Sequence, residues 1–94
     1  MIPVHRVIPE ALAEILRKAP LSDEKVTFAW RSSVGPAIDR GTTVALQDGV
    51  LRVTVRDAAW GREIGRSETL IRARLDALLG RGVVRAIEIS SQER

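Results

Sequence analysis

Arg52, Arg56, Arg62 and Arg66 form two pairs, each spaced by four residues. Four residues along a strand, or one helical turn, returns a side chain to the same side. A planar guanidinium can grip two oxygens of a phosphate at once, so such pairs fit the backbone of a nucleic acid. Glu63 and Glu68 dilute the second pair, and a plain solvated face is the competing reading. Any affinity would be electrostatic and would fall steeply with salt. Other chemistry is poorly supplied. His5 is the only histidine, and nothing in the sequence places it for a Ser-His-Asp arrangement; cysteine is absent, which removes a thiolate metal site. Asp48 and Asp57 have structural roles at a turn and a helix start. Gly61 and Gly65 lack the Lys-Ser/Thr pair of a phosphate loop. The residues therefore point to a binding module without cofactor or metal, not to an enzyme.

The 94 residues are enough for one domain with a single core. Fifteen basic residues against twelve acidic ones leave a formal charge of +3, far from the density of a polybasic protein. The chain is 45% hydrophobic but only 3% aromatic, so the core must be built from aliphatic side chains. Phe28, Trp30 and Trp60 are the only platforms on which a base could stack. No apolar run is long enough for a membrane span, and Met1 to Arg6 lack the apolar stretch of a signal peptide. These features describe a cytoplasmic protein that avoids the membrane.

Local patterns set out the elements. Pro9 at a first helical position opens a helix whose stripe is Leu12, Ile15 and Leu16, and Pro20 stops it. Ser22 caps a second helix, with Leu21 and Val26 spaced as a hydrophobic staple. Val26, Ala29, Trp30, Ser33, Val34, Ala37 and Ile38 keep one helical register through Gly35-Pro36, which predicts a kinked but continuous helix ending at Gly41. Val44 and Leu46 alternate with polar neighbours, as do Leu51, Val53 and Val55. Asp48-Gly49 between these runs predicts a hairpin with a two-residue turn. Asp57 caps a third helical region carrying Trp60, Ile64, Ile71, Leu75 and Leu78. A break is expected between residues 64 and 68, with Ser67 as a second cap. Gly80 and Gly82 end the region, and Val83 to Ile89 read as a last strand. The tail, residues 90–94, is polar and expected to fray.

The order helix, helix, strand, strand, helix, strand defines an α+β class, with helices on one face of a small three-stranded sheet. The last strand should return beside a hairpin strand by a crossover. The other sheet face would then be free, carrying Thr43, Arg52, Thr54, Arg56 and Glu88. Trp30 and Trp60 both lie on apolar stripes and are expected to be buried.

Trp30, then Val34-Gly35-Pro36-Ala37-Ile38, then Gln47-Asp48-Gly49-Val50-Leu51-Arg52-Val53, then Ala58-Ala59-Trp60 with Glu63-Ile64, resemble the DciA family in order and spacing. Leu75 to Gly80 and Val84 to Ile89 continue the likeness. The resemblance covers residues 8–89 of a single domain spanning 1–94. It implies a KH-like fold and a non-enzymatic bacterial adaptor that helps to load or operate the replicative helicase DnaB and associates with DNA. Trp30, Gly35, Pro36, Asp48, Gly49 and Trp60 carry the signature and are read as defining the fold. Arg52, Arg56, Arg62 and Arg66 are the candidate contacts to single-stranded DNA. The chain lacks the G-x-x-G loop of a KH nucleic-acid clamp, and it has only a few polar residues where many family members carry a long flexible extension. A KH-like RNA- or ribosome-associated module is the alternative. A pure protein-interaction domain using an exposed strand edge is a third reading.

Overall fold

Where the apolar spacing changes from three and four to two, the chain passes from helix to strand. The computed structural model describes residues 9–92. Within them α1 (Glu10–Lys18), α2 (Asp23–Val34) and α3 (Pro36–Arg40) precede the hairpin β1 (Thr42–Gln47) and β2 (Val50–Val55). The helices α4 (Ala58–Arg66) and α5 (Glu68–Leu79) then lead to β3 (Ala86–Ser91). This is a mixed α+β fold, as the sequence patterns require. His5 and the other N-terminal residues lie outside the described range, as do Glu93 and Arg94.

Ser22 and Asp57 cap their helices as predicted, whereas Ser67 stands at the start of α5 without a side-chain cap hydrogen bond. Ser22 Oγ accepts the Lys25 N–H at 3.1 Å, and Asp57 Oδ1 accepts the Ala59 N–H at 2.8 Å. Both satisfy amides that have no partner inside their own helix. Asp48 (φ 52°) and Gly49 (φ 80°) make the tight hairpin turn, whose positive φ values match the right-handed strand twist. The Gly49 carbonyl then accepts the Arg85 N–H at 2.7 Å, which ties the turn to the segment entering β3.

The sheet order is β1-β2-β3, with β2 antiparallel to β1 and parallel to β3. The parallel pair requires the crossover that α4 and α5 provide. Leu51, Val53 and Val55 of β2 are fully buried against the helical layer, whereas Arg52 between them is exposed. Trp30, Ile64 and Leu75 complete the centre of the core. Thr43, Ala45, Gln47, Arg52, Glu88 and Ser90 line the opposite face, which the described residues leave open to solvent.

Six local expectations are corrected. The helix predicted across Gly35-Pro36 is two helices. Gly35 takes φ 87°, its N–H ends α2 on the Arg31 carbonyl at 2.9 Å, and Pro36 starts α3. Proline has no amide to continue the ladder, so the register breaks and Ala37 is exposed. On α1 the buried residue is Ala13, while Leu12 and Ile15 are 46% and 67% exposed. The helix packs on α5, and Arg17 Nη1 donates to the Ala77 carbonyl at 2.9 Å. A small residue at the contact lets the two helices approach closely. Pro9 precedes the first helical residue, and Leu21 is 56% exposed, so the staple to buried Val26 is open. The last strand begins at Ala86, because the glycines at 80 and 82 (φ 110° and 82°) feed a turn through Val83. It also runs on through Ser90 and Ser91, which pair with Thr54 and Val55 and so do not fray.

Candidate binding surface

The two tryptophans, equivalent in local pattern, meet different fates. Trp30 is 1% exposed, and its Nε1–H donates to Thr42 Oγ1 at 2.9 Å. Trp60 is only partly buried, against the expectation for both. Its indole lies across Gly41, where an added Cβ would sit 2.8 Å from Nε1. Residue 41 must therefore be nearly free of side chain for the ring to lie there. Trp60 Nε1 reaches solvent and has no hydrogen-bond partner among the described residues.

Trp60 forms part of an open groove of about 700 Å³ between the α2–α3 junction and the start of α4. Val34, Pro36, Ile38 and Ala59 supply its apolar lining, and Asp57 and Glu63 its carboxylates. The break between α2 and α3 at Gly35-Pro36 lies in the lining of this groove. Gly35, Pro36 and Trp60 were read from the sequence as fold-defining, yet all three line one surface groove. No local signal could have joined them, since they are brought together by the return of the chain through the hairpin.

Among the described residues the arginines divide into three groups. Arg17, Arg72, Arg74 and Arg85 donate to backbone carbonyls, as in Arg74 Nη1 to Ser33 O at 2.8 Å and Arg72 Nη2 to Arg85 O at 3.0 Å. Arg31, Arg52 and Arg66 face carboxylates, of Asp39 at 4.0 Å, Glu88 at 3.9 Å and Glu63 at 3.3 Å respectively. Exposed pairs of this kind contribute little to stability, but they do reduce the positive field. Arg40, Arg56, Arg62 and Arg81 have no side-chain hydrogen bond or ion pair among the described residues.

The four candidate arginines do not share one surface. Arg52 lies on the open sheet face, and Arg62 and Arg66 lie on the solvent side of α4. The other side of α4 meets the sheet: a Cβ at Gly61 would touch Ile89 and Val55, both on the helical side. The sheet therefore stands between Arg52 and the pair on α4. Arg56 lies at the end of β2, where its N–H donates to the Gly41 carbonyl at 3.0 Å. Arg40, not singled out in the sequence, precedes Gly41 in the chain. Its only sequence signal was a place in the last turn of a helix.

A small α+β domain with an open sheet face, an apolar groove and unpaired surface arginines is built as a binding module. Among the described residues no group of three or more His, Cys, Asp or Glu could hold a metal ion, and no helix is long and apolar enough to cross a membrane. The chain belongs to the DciA family, whose profile, described as "Dna[CI] antecedent, DciA", matches residues 3–89. It is similar to a UPF0232 protein of Mycolicibacterium smegmatis, 35% identical over 72 residues, covering 76% of this chain and 37% of that one. A UPF0232 protein of Mycobacterium ulcerans is 36% identical over 71 residues, covering 74% and 38%. A further M. smegmatis relative, named a UPF0232 protein in the recF-gyrB intergenic region, is 33% identical over 72 residues, covering 76% and 37%. The chain thus spans less than two fifths of the length of these relatives.

Proposed function

We propose that this domain is an adaptor of the bacterial replicative helicase DnaB, assisting its loading or operation while binding single-stranded DNA weakly. The observation that carries the reading is the family match over residues 3–89, nearly the whole chain. The name of one relative, set in the recF-gyrB intergenic region, is in keeping with a neighbourhood of DNA-handling genes. An adaptor needs surfaces more than a catalytic centre, and the groove beside Trp60 and the open sheet face are surfaces of that kind. The reading implies a non-enzymatic, cytoplasmic protein.

Weak DNA binding fits the charge distribution. Of the four candidate contacts, Arg52 and Arg66 each stand beside a glutamate, which leaves Arg56 and Arg62 as the cations with unspent charge. A net charge of +3 gives modest attraction that salt would screen.

The test is to mix the purified protein with the replicative helicase of its own organism and follow association by light-scattering chromatography, with and without single-stranded DNA. A discrete complex supports the adaptor reading. Two separate peaks, with the domain folded and the helicase hexameric, overturn it.

A further inference from the structure

β3 closes one edge of the sheet, and among the described residues no strand lies beyond it. The Ala86 N–H donates to the Gly49 carbonyl at 3.3 Å, and the Gln92 N–H to the Val55 carbonyl at 2.9 Å. Along a strand both backbone groups of a residue point to one side, and successive residues alternate. Residues 86, 88, 90 and 92 therefore direct theirs to β2, while Ile87 and Ile89 turn an N–H and a carbonyl outward. All of β3 except Ile87 is exposed. Natural edges are blunted by lysine, proline, a bulge or a very short strand. β3 has none of these: it reads Ala-Ile-Glu-Ile-Ser-Ser, and its pairing with β2 runs without a bulge. Its one charge, Glu88, faces Arg52 at 3.9 Å within the same sheet. Ile89 leaves an apolar side chain exposed on the helical side of the edge, against Gly61. The opposite edge differs, because β1 starts at buried Thr42, whose hydroxyl is bonded to α3.

We infer that this edge takes a second copy of the chain, β3 against β3 and antiparallel about a twofold axis, joining two three-stranded sheets into one. The strand's own residues argue for this occupant, because they are self-complementary in one register. Outward residues must face outward residues for the bonds to form, which leaves two registers that cover most of the strand. Centred on Glu88, the pairing sets that carboxylate directly opposite its twin, and like charges so placed are destabilising. Centred on Ile89, it sets Ile89 against Ile89 and each Glu88 opposite Ser90 of the other copy. The two isoleucines then cover the apolar group that the edge leaves exposed. The carboxylate gains a hydroxyl donor, and the Ile89 backbones exchange both of their hydrogen bonds. Charge and apolar pairing thus select the second register. The inference does not rest on the helicase or DNA reading above.

The experiment is sedimentation velocity of the full chain from micromolar to millimolar concentration, on the wild type, Ile89→Lys and Thr43→Lys, each checked for folding by circular dichroism. The wild type should pass from monomer to dimer as concentration rises, and Thr43→Lys, altered on the other edge strand, should match it. Ile89→Lys should raise the dissociation constant by about tenfold or more, because two ammonium groups then meet at the axis. The chain has no cysteine, so a single introduced one reports the register. The Cα atoms of a hydrogen-bonded antiparallel pair are ~5.5 Å apart, within disulfide reach, whereas diagonal neighbours at ~7–8 Å are beyond it. Under mild oxidation Ile89→Cys should therefore form a covalent dimer readily and Glu88→Cys slowly. A wild type that stays monomeric throughout overturns the inference. If adding the helicase then protects the Ile89 amide from hydrogen exchange, the edge belongs to a strand of that partner instead. An Ile89→Lys dimer as tight as the wild type, or faster cross-linking through Glu88→Cys, overturns it too. Association with the helicase is read separately by chromatography, so either result there leaves this one standing.

Discussion

Trp30 Nε1 donates to Thr42 Oγ1 at 2.9 Å, and that hydroxyl passes its own hydrogen to the Ile38 carbonyl at 2.9 Å. One threonine thus satisfies the largest buried side chain, fixes the end of α3 and starts β1. Thr42→Val keeps the shape but leaves the indole N–H buried without a partner. The expected cost is about 1–3 kcal/mol, and Thr42→Ser should recover most of it. Urea unfolding checks this, with a lower midpoint and an unchanged slope.

Lys25 is 7% exposed, and its ammonium donates to the carbonyls of Ala19 at 2.7 Å and Arg17 at 3.2 Å. A cation at a helix C-terminus also meets the negative end of the dipole. Lys25→Met retains the apolar stem and abandons both carbonyls at the end of α1. A loss of about 1–3 kcal/mol is expected. Amide hydrogen exchange should speed up first in α1 and only later in β2, showing that this contact holds α1 to the domain.

Gly49 at φ 80° is packed against the Arg85 guanidinium, which also donates to the Asp48 carbonyl. Gly49→Ala therefore combines backbone strain with a displaced arginine and should cost about 1–3 kcal/mol. Asp48→Gly, at φ 52°, relieves a similar conformation and should be nearly neutral. Thermal unfolding of the two variants separates them, and equal melting temperatures would refute this account of the turn.

On α1 the pattern of apolar residues and the packing disagree, which makes a sharp test. Ile15→Gln at a position 67% exposed should change stability by less than about 0.5 kcal/mol. Ala13→Leu, although it adds an apolar side chain, overfills the contact with α5 and should cost about 1–3 kcal/mol. Denaturant midpoints in the reverse order would show that the helix packs by its Leu12–Ile15 face.

The features legible in the sequence are those set by neighbours along the chain. The Asp48-Gly49 turn, the caps at Ser22 and Asp57, the break at Ser67 and the alternation of β2 follow from backbone geometry and side chains a few residues apart. The class of fold and the family likeness rest on that same local order. The break at Gly35-Pro36 shows where periodicity misleads, because a matching stripe cannot replace the amide that proline lacks.

Tertiary structure alone decided which of these residues are available to a partner. Trp30 and Trp60 carry the same local pattern, but one finds Thr42 and the core while the other lies over Gly41 at the surface. The arginines look alike in the chain, yet Arg74 is used up on a carbonyl 41 residues away while the Arg56 side chain has no partner among the described residues. Burial and charge compensation depend on partners remote in sequence, and only closure of the sheet brings those partners into reach. The amino-acid sequence by itself determined the elements and their order; the packing of α3 and α4 around Gly41 determined the surface.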